Sequence, residues 1–310
     1  MKMNQTWKRQ DIDIRPGMHI EGKWHHNRYL IKRKLGEGAI GTVYLCESNG
    51  KPAALKISDK GASLTVEVNV LKSLKKVQGK RLGPYLLDVD DWVSASGARY
   101  SYYVMEYLEG ESMNTFIKRH GSEWVGVFML QLLEGLEQLH QTGWIFGDLK
   151  TENLLVIPSP PRIRWVDVGG TTRKGRSIKE YTEFYDRGYW GMGTRRAEPS
   201  YDLFAFVMVF LNIYYPKRFE KGAYPEKTLY KRIDDIKALS PYRDALKKAI
   251  TGKYQSSSEM KREIMHMLYK TQKQSRTARN AKKTSPAPFL IETGGITFIA
   301  AAYYLFSLLL

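Results

Sequence analysis

The hydrophobic pattern changes its period at Glu109-Gly110, and that change constrains the fold of this 310-residue chain more than any other feature. Upstream, YLIKRKLGEG (29–38), GTVYLCE (41–47), KPAALKIS (51–58) and ARYSYYVMEYL (98–108) are short, β-rich and separated by Gly and Asn turns, which is the pattern of strands. One stretch among them, SLTVEVNVLKSLKKV (63–77), spaces its apolar residues as a helix does. Downstream the pattern is helical. In SEWVGVFMLQLLEGLEQLHQTG (122–143), Val125, Phe128, Leu132, Leu136 and Leu139 share a face, Ser122 is the predicted N-cap and Gly143 the predicted stop. YDLFAFVMVFLNIYYP (201–216) is apolar all round but shorter than the ~20 residues of a bilayer span, so it reads as a buried core helix. A hydrophobic share of 43 % fills a packed core and argues against global disorder.

The two ends read differently. Residues 1–23 are polar and irregular, a leader with no apolar stretch that would make a signal peptide. Near the other end, Lys261, Arg262, Lys270, Lys273, Arg276, Arg279, Lys282 and Lys283 face a single acid, Glu263, and TSPAP then breaks the helix. From Gly294 to Leu310 there is no charge. As a helix that segment reaches ~26 Å against a hydrocarbon core of ~30 Å, and Phe289–Ile291 lengthen it. The expectation is a C-terminal transmembrane helix over 289–310 after a basic juxtamembrane linker over 271–288. The Lys/Arg-rich flank then orients the rest of the chain toward the cytosol, as a single-pass protein of the cell membrane. The alternative is an apolar helix folded back on the protein.

The formal charge of +17 favours polyanionic partners, namely nucleic acid, acidic lipid or acidic protein; solubility alone is the plainer reading. Residues 261–310 carry only +6 of it, so the body is basic too. Lys270, Lys273, Arg276, Arg279, Lys282 and Lys283 are expected to lie on anionic lipid, to bind DNA phosphates, or to serve as a topogenic signal only. The lone cysteine, Cys46, excludes an intrachain disulfide, fits a reducing compartment and reads as a packing residue.

Four pieces of the sequence point to nucleotide chemistry. In LGEGAIGTVYL (35–45), Gly36, Gly38, Gly41 and Val43 fit G-x-G-x-x-G-x-V between two strands, where a backbone without side chains approaches phosphates closely. A dinucleotide fingerprint would run from strand into helix instead. Lys56 ends the apolar strand AALK and suits phosphate pairing, the plain alternative being a snorkelling surface lysine. Glu67, on the following helix, is predicted to hold it by an ion pair. In GDLKTENLLV (147–156), Asp148 is placed to accept a proton from an attacking hydroxyl, Lys150 to neutralise the moving charge, and Asn153 to take a metal ion. Asp167, in RWVDVGG (164–170), stands before paired glycines and suits Mg²⁺ bridging the phosphates.

In this order, the motifs resemble those of eukaryotic-like (Hanks-type) serine/threonine protein kinases over residues 24–270. The resemblance implies an α+β, two-lobed fold. A β-rich N-lobe (24–107) would carry the Gly loop, Lys56 and Glu67. A helical C-lobe (108–270) would carry Asp148, Lys150, Asn153 and Asp167, with Lys56, Asp148, Asn153 and Asp167 converging around Mg²⁺-loaded ATP. VMEYLEG is similar to the family's hinge, with Met105 as gatekeeper and the Glu106 and Leu108 backbones facing adenine. Leu35 is carried over as an ATP contact, and Val43, Ala54 and Leu155 match positions around the base. Asp202 matches an Asp that accepts backbone N–H bonds from the catalytic loop.

Lys150 in D-L-K-x-x-N implies Ser/Thr acceptors on protein substrates, and self-association would allow autophosphorylation on Thr171, Thr172, Ser177, Tyr181 or Thr182. The chain departs from the family's H-R-D in having Phe146 and Gly147, from D-F-G in having Val168, and from A-P-E, near whose place FYDRGYW stands. These imply a competent site without the usual phosphate-sensing Arg. The layout resembles the sporulation-associated membrane kinases of spore-forming bacteria. A catalytically dead tethered scaffold and a small-molecule or lipid kinase of the same fold are the alternatives; joint retention of Lys56, Asp148, Asn153 and Asp167 argues against the first, and Lys150 with the long 167–189 segment against the second.

Overall fold

The computed structural model describes residues 12–38, 40–75 and 83–282, with side chains through 270. It divides into two compact units: Met1–Glu109 with Arg164–Thr171, and Gly110–Ile163 with Thr172–Leu310.

The first unit is an antiparallel six-stranded sheet in the order β1-β2-β3-β4-β6-β5. Its strands are β1 (His19–Glu21), β2 (Arg28–Glu37), β3 (Thr42–Ser48), β4 (Lys51–Ser58), β5 (Leu86–Val93) and β6 (Arg99–Glu106), with helix α1 (Gly61–Lys75) between β4 and β5. Alternation along a strand sends successive side chains to opposite faces. One face buries Ile20, Tyr29, Ile31, Tyr44, Cys46, Ala53, Leu55, Ile57, Tyr100, Tyr102 and Val104 as a single cluster. The residues between them, Val43, Ala54, Lys56, Tyr103 and Met105, therefore share the other face. Cys46 belongs to the apolar cluster, and burial pushes its thiol up to about 12, as suits a packing residue.

The stretch read as an irregular leader contains β1, which pairs with β2, and Ile14 and Ile20 enter the cluster. Three residues are too few to show a period, so the strand leaves no signal in the sequence. The β1–β2 connection is held by β5, whose inward positions are acidic. Asp90 accepts the backbone N–H groups of Trp24 (3.0 Å) and His25 (2.7 Å). Asp88 accepts the Tyr29 hydroxyl (2.7 Å) and the Asn27 amide (3.0 Å), and pairs with His25 Nδ1 at 2.6 Å.

In the second unit Ser112 caps helix α2 (Met113–His120) through the Thr115 N–H, and α3 (Trp124–Gln141) follows. Ser122 does not cap α3, because Glu123 before it is already helical and no side chain bonds the free N–H groups; Ser122 contributes only its carbonyl, to Val125. Gly143, at φ +82°, ends the helix as expected. Strand β7 (Trp144–Ile145) leads to the short strand β8 (Leu154–Ile157), and β9 (Arg162–Trp165) returns the chain to the first unit. Strand β10 (Thr172–Arg173) pairs with β7. Helix α4 (Pro199–Tyr214) starts on a proline and is buried from Tyr201 to Ile213, as its all-round apolar pattern requires. Helices α5 (Pro225–Asp234), α6 (Arg243–Ile250) and α7 (Ser257–Lys282) complete the unit. Helix α7 carries residues 271–282 of the stretch read as a linker. The segment 289–310 lies outside the described residues, among which no helix is long and apolar enough to cross a membrane.

The hydrogen bond that the protonated His25 ring donates to Asp88 raises the His25 pKa above 6.5, so this pair stabilises the fold fully below 6.5 and is lost as pH rises through the raised value. Thermal unfolding from pH 5 to 9 should therefore show a loss of stability on the alkaline side that His25→Ala removes.

Candidate active site

In the first unit, strand register brings the motif residues together. Val43 stands beside Lys56, and Lys56 beside Tyr103, in one row across β3, β4 and β6. Leu45, Ala54 and Met105 form the next row. Glu67 lies on the buried stripe of α1 with Leu64, Val68 and Leu71, the spacing that turns a helix face inward. It meets Lys56 there: Nζ donates to both carboxylate oxygens at 2.8 and 3.0 Å, and the Tyr103 hydroxyl donates to Glu67 at 2.7 Å. The expected ion pair is thus present, with the Lys56 side chain only 4 % exposed.

Asp167 belongs to this first unit and not with Asp148. It lies two residues past β9, and its Oδ1 accepts from Lys56 at 3.2 Å and from the Gly169 N–H at 2.9 Å. Burial by itself would lower the Lys56 pKa, but the Asp167 and Glu67 carboxylates outweigh it, so the ammonium stays charged. Burial raises Glu67, and Lys56 pulls it back only in part.

The glycine loop is the tight connection from β2 to β3. The Gly38 N–H donates to the Gly41 carbonyl at 2.9 Å, and a Cβ on Gly41 would run into the Ile57 carbonyl. A Cβ on Gly36 or Gly38 would meet nothing within 4 Å, which leaves backbone open to a ligand. Leu35 and Val43 are half-buried on the flanking strands, and Met105 is buried near the end of β6. Glu106 and Leu108 follow, half-buried. The Glu106 carboxylate is held by Arg164 (2.8 Å) and by the Tyr85 N–H (3.2 Å), a brace the sequence did not reveal.

The second unit holds the other motif residues. Asp202 is fully buried in the first turn of α4. Its carboxylate accepts the N–H groups of Phe146 (2.8 Å) and Gly147 (3.0 Å), as the resemblance implied, and the ring of His140 at 2.7 Å. His140 in turn meets Ser257 at 3.2 Å. Neither His140 nor Ser257 stood out in the sequence, since neither lies in a motif. Phe146 packs in the core, and Gly147 sits at φ +79°, where a side chain costs ~1–2 kcal/mol. The backbone itself therefore disfavours an Arg at this position.

From this fixed loop Asp148 receives two donors. Lys150 pairs with its Oδ2, and the Thr182 hydroxyl donates to its Oδ1 at 3.0 Å. Lys150 also lies 3.5 Å from that hydroxyl. Asn153 uses Nδ2 to bond the Asp148 carbonyl at 3.0 Å, which leaves its Oδ1 directed elsewhere. Leu155 is half-buried in β8. The anchor that the sequence seemed to lack is built from Arg187, which donates to Glu198 (2.6 Å), Ser200 (2.7 Å) and the Thr194 carbonyl (2.6 Å). Its signal was Ala197-Glu198-Pro199, with the acid and the proline exchanged relative to A-P-E. Beside it, Asp186 gathers the Gly188 and Tyr189 N–H groups, Arg195 and the Tyr201 hydroxyl. Among the hydroxyls considered for modification, Thr171 is buried and Thr182 is spent on Asp148.

The protein kinase domain family matches residues 29–286. Serine/threonine-protein kinase YabT of Bacillus subtilis is 48 % identical over 264 residues, which span 85 % of this chain and 78 % of that protein. Sporulation protein kinase mde3 of Schizosaccharomyces pombe is 28 % identical over 210 residues, 61 % of this chain and 37 % of that one. Protein kinase PINOID 2 of Arabidopsis thaliana is 30 % identical over 138 residues, 41 % of this chain and 26 % of that one. With more than half of its length matched by the family and the buried lysine–glutamate pair and Asp202-held loop in place, the chain belongs to the protein kinase domain family and is a serine/threonine protein kinase.

Proposed function

We propose that this kinase moves the γ-phosphoryl group of ATP to Ser and Thr hydroxyls of protein substrates with the residues named above. The observation that carries the assignment is the hydroxyl of Thr182 on Asp148, because a site that accepts one alcohol O–H at 3.0 Å suits orienting another as nucleophile. Asp148 aligns the acceptor hydroxyl and takes its proton. Lys150, paired with Asp148, is a mobile cation that balances the charge on the transferred group. Lys56, fixed by Glu67, holds the α- and β-phosphates, and the open backbone at Gly36 and Gly38 covers them. Val43, Ala54, Met105 and Leu155 offer apolar surface to the base. Positioning and charge neutralisation dominate such a transfer, since the protein makes no covalent bond of its own.

The donor set fits a magnesium ion, which is hard and prefers oxygen: the Asp167 carboxylate is 42 % exposed, and Asn153 keeps its amide oxygen for a cation. Bound there, the ion would neutralise phosphate charge. Asp167 and Asn153 are the residues that would hold it.

We place the enzyme at the cytoplasmic face of the cell membrane, anchored by residues 289–310, with the basic residues from Lys270 to Lys283 against anionic lipid. The support is the uncharged C-terminal segment and the Lys/Arg excess before it. With Gly147 in place of a phosphate-sensing Arg, docking on a polyanion takes over activation.

Lys56→Ala and Asp148→Ala should each lower incorporation of label from ATP into a generic protein substrate by at least ~10²–10³-fold with an unchanged circular dichroism spectrum. A wild-type rate in Asp148→Ala would remove the role given to that residue. In a second assay, anionic vesicles should stimulate the full-length kinase and rising salt should abolish the effect. Stimulation by DNA instead would move the docking surface from lipid to nucleic acid, and a response to neither would end the activation reading.

A further inference from the structure

Strands β1 and β5 stand at opposite edges of the six-stranded sheet, yet the β1–β2 connection reaches β5. The Lys23 N–H donates to the Asp91 carbonyl (2.8 Å), and the Trp24 and His25 N–H groups both bond the Asp90 carboxylate. The sheet is thus tied edge to edge. The family match begins at residue 29, so this connection stands in front of it. At the tie lie His25, Asp88 and Asp90, whose Nδ1 and carboxylate oxygens are all within 4.8 Å of one another; among the described residues no other group of His, Cys, Asp and Glu converges in this way. His25 Nδ1 is 2.6 Å from Asp88 Oδ1 and 3.9 Å from Asp90 Oδ2. Both carboxylates are buried, whereas the imidazole is 55 % exposed, so the cluster opens to solvent on one side.

Apart from His25, the two carboxylates bond only neutral donors. Asp88 takes the Tyr29 hydroxyl, the Asn27 amide and the Val89 N–H; Asp90 takes the N–H groups of Trp24, His25 and Asp91. The neighbouring cations are engaged elsewhere: Arg99 pairs with Asp91, and the Lys23 ammonium lies over the Trp24 ring. Buried charges are paired or coordinate metals. Asp88 Oδ1 has one donor besides the imidazole. Asp90 Oδ2 has one close donor, the His25 N–H, because the Trp24 N–H lies nearer Oδ1. Each oxygen therefore keeps a lone pair for a cation. A separate observation points to the same place. The Tyr102 hydroxyl is fully buried and has no hydrogen-bond partner among the described residues. A Cβ on Gly22 would stand 2.7 Å from that hydroxyl and 2.3 Å from Asp90 Oδ2, so the two oxygens face the same point. A buried hydroxyl left without a partner is costly, and a ligand at the cluster would satisfy it.

We propose that His25 Nδ1, Asp88 Oδ1 and Asp90 Oδ2 form a site for a divalent metal ion, with the Tyr102 hydroxyl oxygen as a fourth donor, and that the ion fastens the β1–β2 connection to β5. One imidazole and three oxygens suit Zn²⁺, which takes four ligands of these kinds; Mg²⁺ prefers an octahedron of oxygens. On binding, the imidazolium gives up its Nδ1 proton to solvent, keeps the one on Nε2 and donates the freed lone pair to the ion. The two carboxylates balance the double charge of the ion, and coordination joins the hydrogen bonds that already tie the sheet edges. Tyr29 and Tyr102 belong to the apolar face of the sheet, whereas Lys56 and Tyr103 lie on the other, so this site is distinct from the Lys56–Asp167 pair. The inference does not rest on the kinase chemistry.

The test is isothermal titration calorimetry of the chelator-treated full-length protein with ZnCl₂ in excess Mg²⁺. Wild type should take up one zinc equivalent, and zinc should raise its melting temperature. Co²⁺ in place of Zn²⁺ should give the visible absorption of a four-coordinate ion. His25→Ala should lose the equivalent, the absorption and the thermal shift, whereas His19→Ala, on the neighbouring strand β1, should keep all three. Tyr102→Phe should bind zinc about tenfold more weakly. Its metal-free form should melt no lower than wild type, because the deleted hydroxyl has no partner to lose. A purely structural role for Tyr102 would not produce that combination. No zinc uptake, an equivalent that survives His25→Ala, or one that Asp167→Ala removes would each overturn the inference and leave the kinase assignment standing.

Discussion

A lysine buried in a sheet must be given a counter-charge. Withdrawing a carboxylate and an ammonium from water costs several kcal/mol per ion, and only close, well-bonded pairing offsets it. Lys56 and Glu67 meet this condition with two hydrogen bonds between them and a third from Tyr103. The pairing fixes α1 against β4 and β6, and with it the face that carries Val43, Ala54 and Met105. It also leaves Lys56 charged and reaching Asp167 at 3.2 Å, so one structural solution to burial sets a charged lysine beside a partly exposed carboxylate.

The second unit solves the same problem with backbone. Asp202 is buried, and its oxygens are satisfied by two N–H groups of the loop before Asp148 and by the His140 ring. That arrangement explains both departures at 146 and 147. Phe146 fills a core position while its N–H does the bonding, and Gly147 permits the left-handed backbone that points its N–H at the same carboxylate. Asp148 follows directly, so its position is set by a helix that begins more than fifty residues later in the chain. Arg187 and Asp186 fix the following segment in the same manner, each buried and each bonded several times.

Most of the fold's local pieces were legible. Period-two alternation placed β2, β3, β4 and β6, and the all-round apolar pattern placed α4, because a repeat long enough to count survives any tertiary context. The β1 strand was too short to carry a period. Strand β5 reads poorly because Asp88 and Asp90 point inward to bind the Trp24 and His25 backbone and the Tyr29 hydroxyl, while Leu87 and Val89 are exposed. The predicted cap at Ser122 failed because Glu123 continues the helical turn, a one-residue shift that composition does not encode. Of the contacts around the motif residues, Lys56 with Glu67 and Asp202 with the loop before Asp148 were expected from the motifs, whereas Tyr103, Arg164, His140 and Arg187 act only through partners distant in sequence.

The amino-acid sequence by itself determined which residues stand in the family's motifs and which face of each strand or helix they occupy, because periodicity and glycine placement are local properties. It also determined that glycine, and not arginine, stands immediately before Asp148. Only the tertiary structure decided the partners: Lys56 with Asp167 across 111 positions, Phe146 and Gly147 with Asp202, and Thr182 with Asp148. Those pairings depend on how strands register and where the chain returns, and each forms because a charge or polar group left unmatched in the packed protein would cost more than the contact.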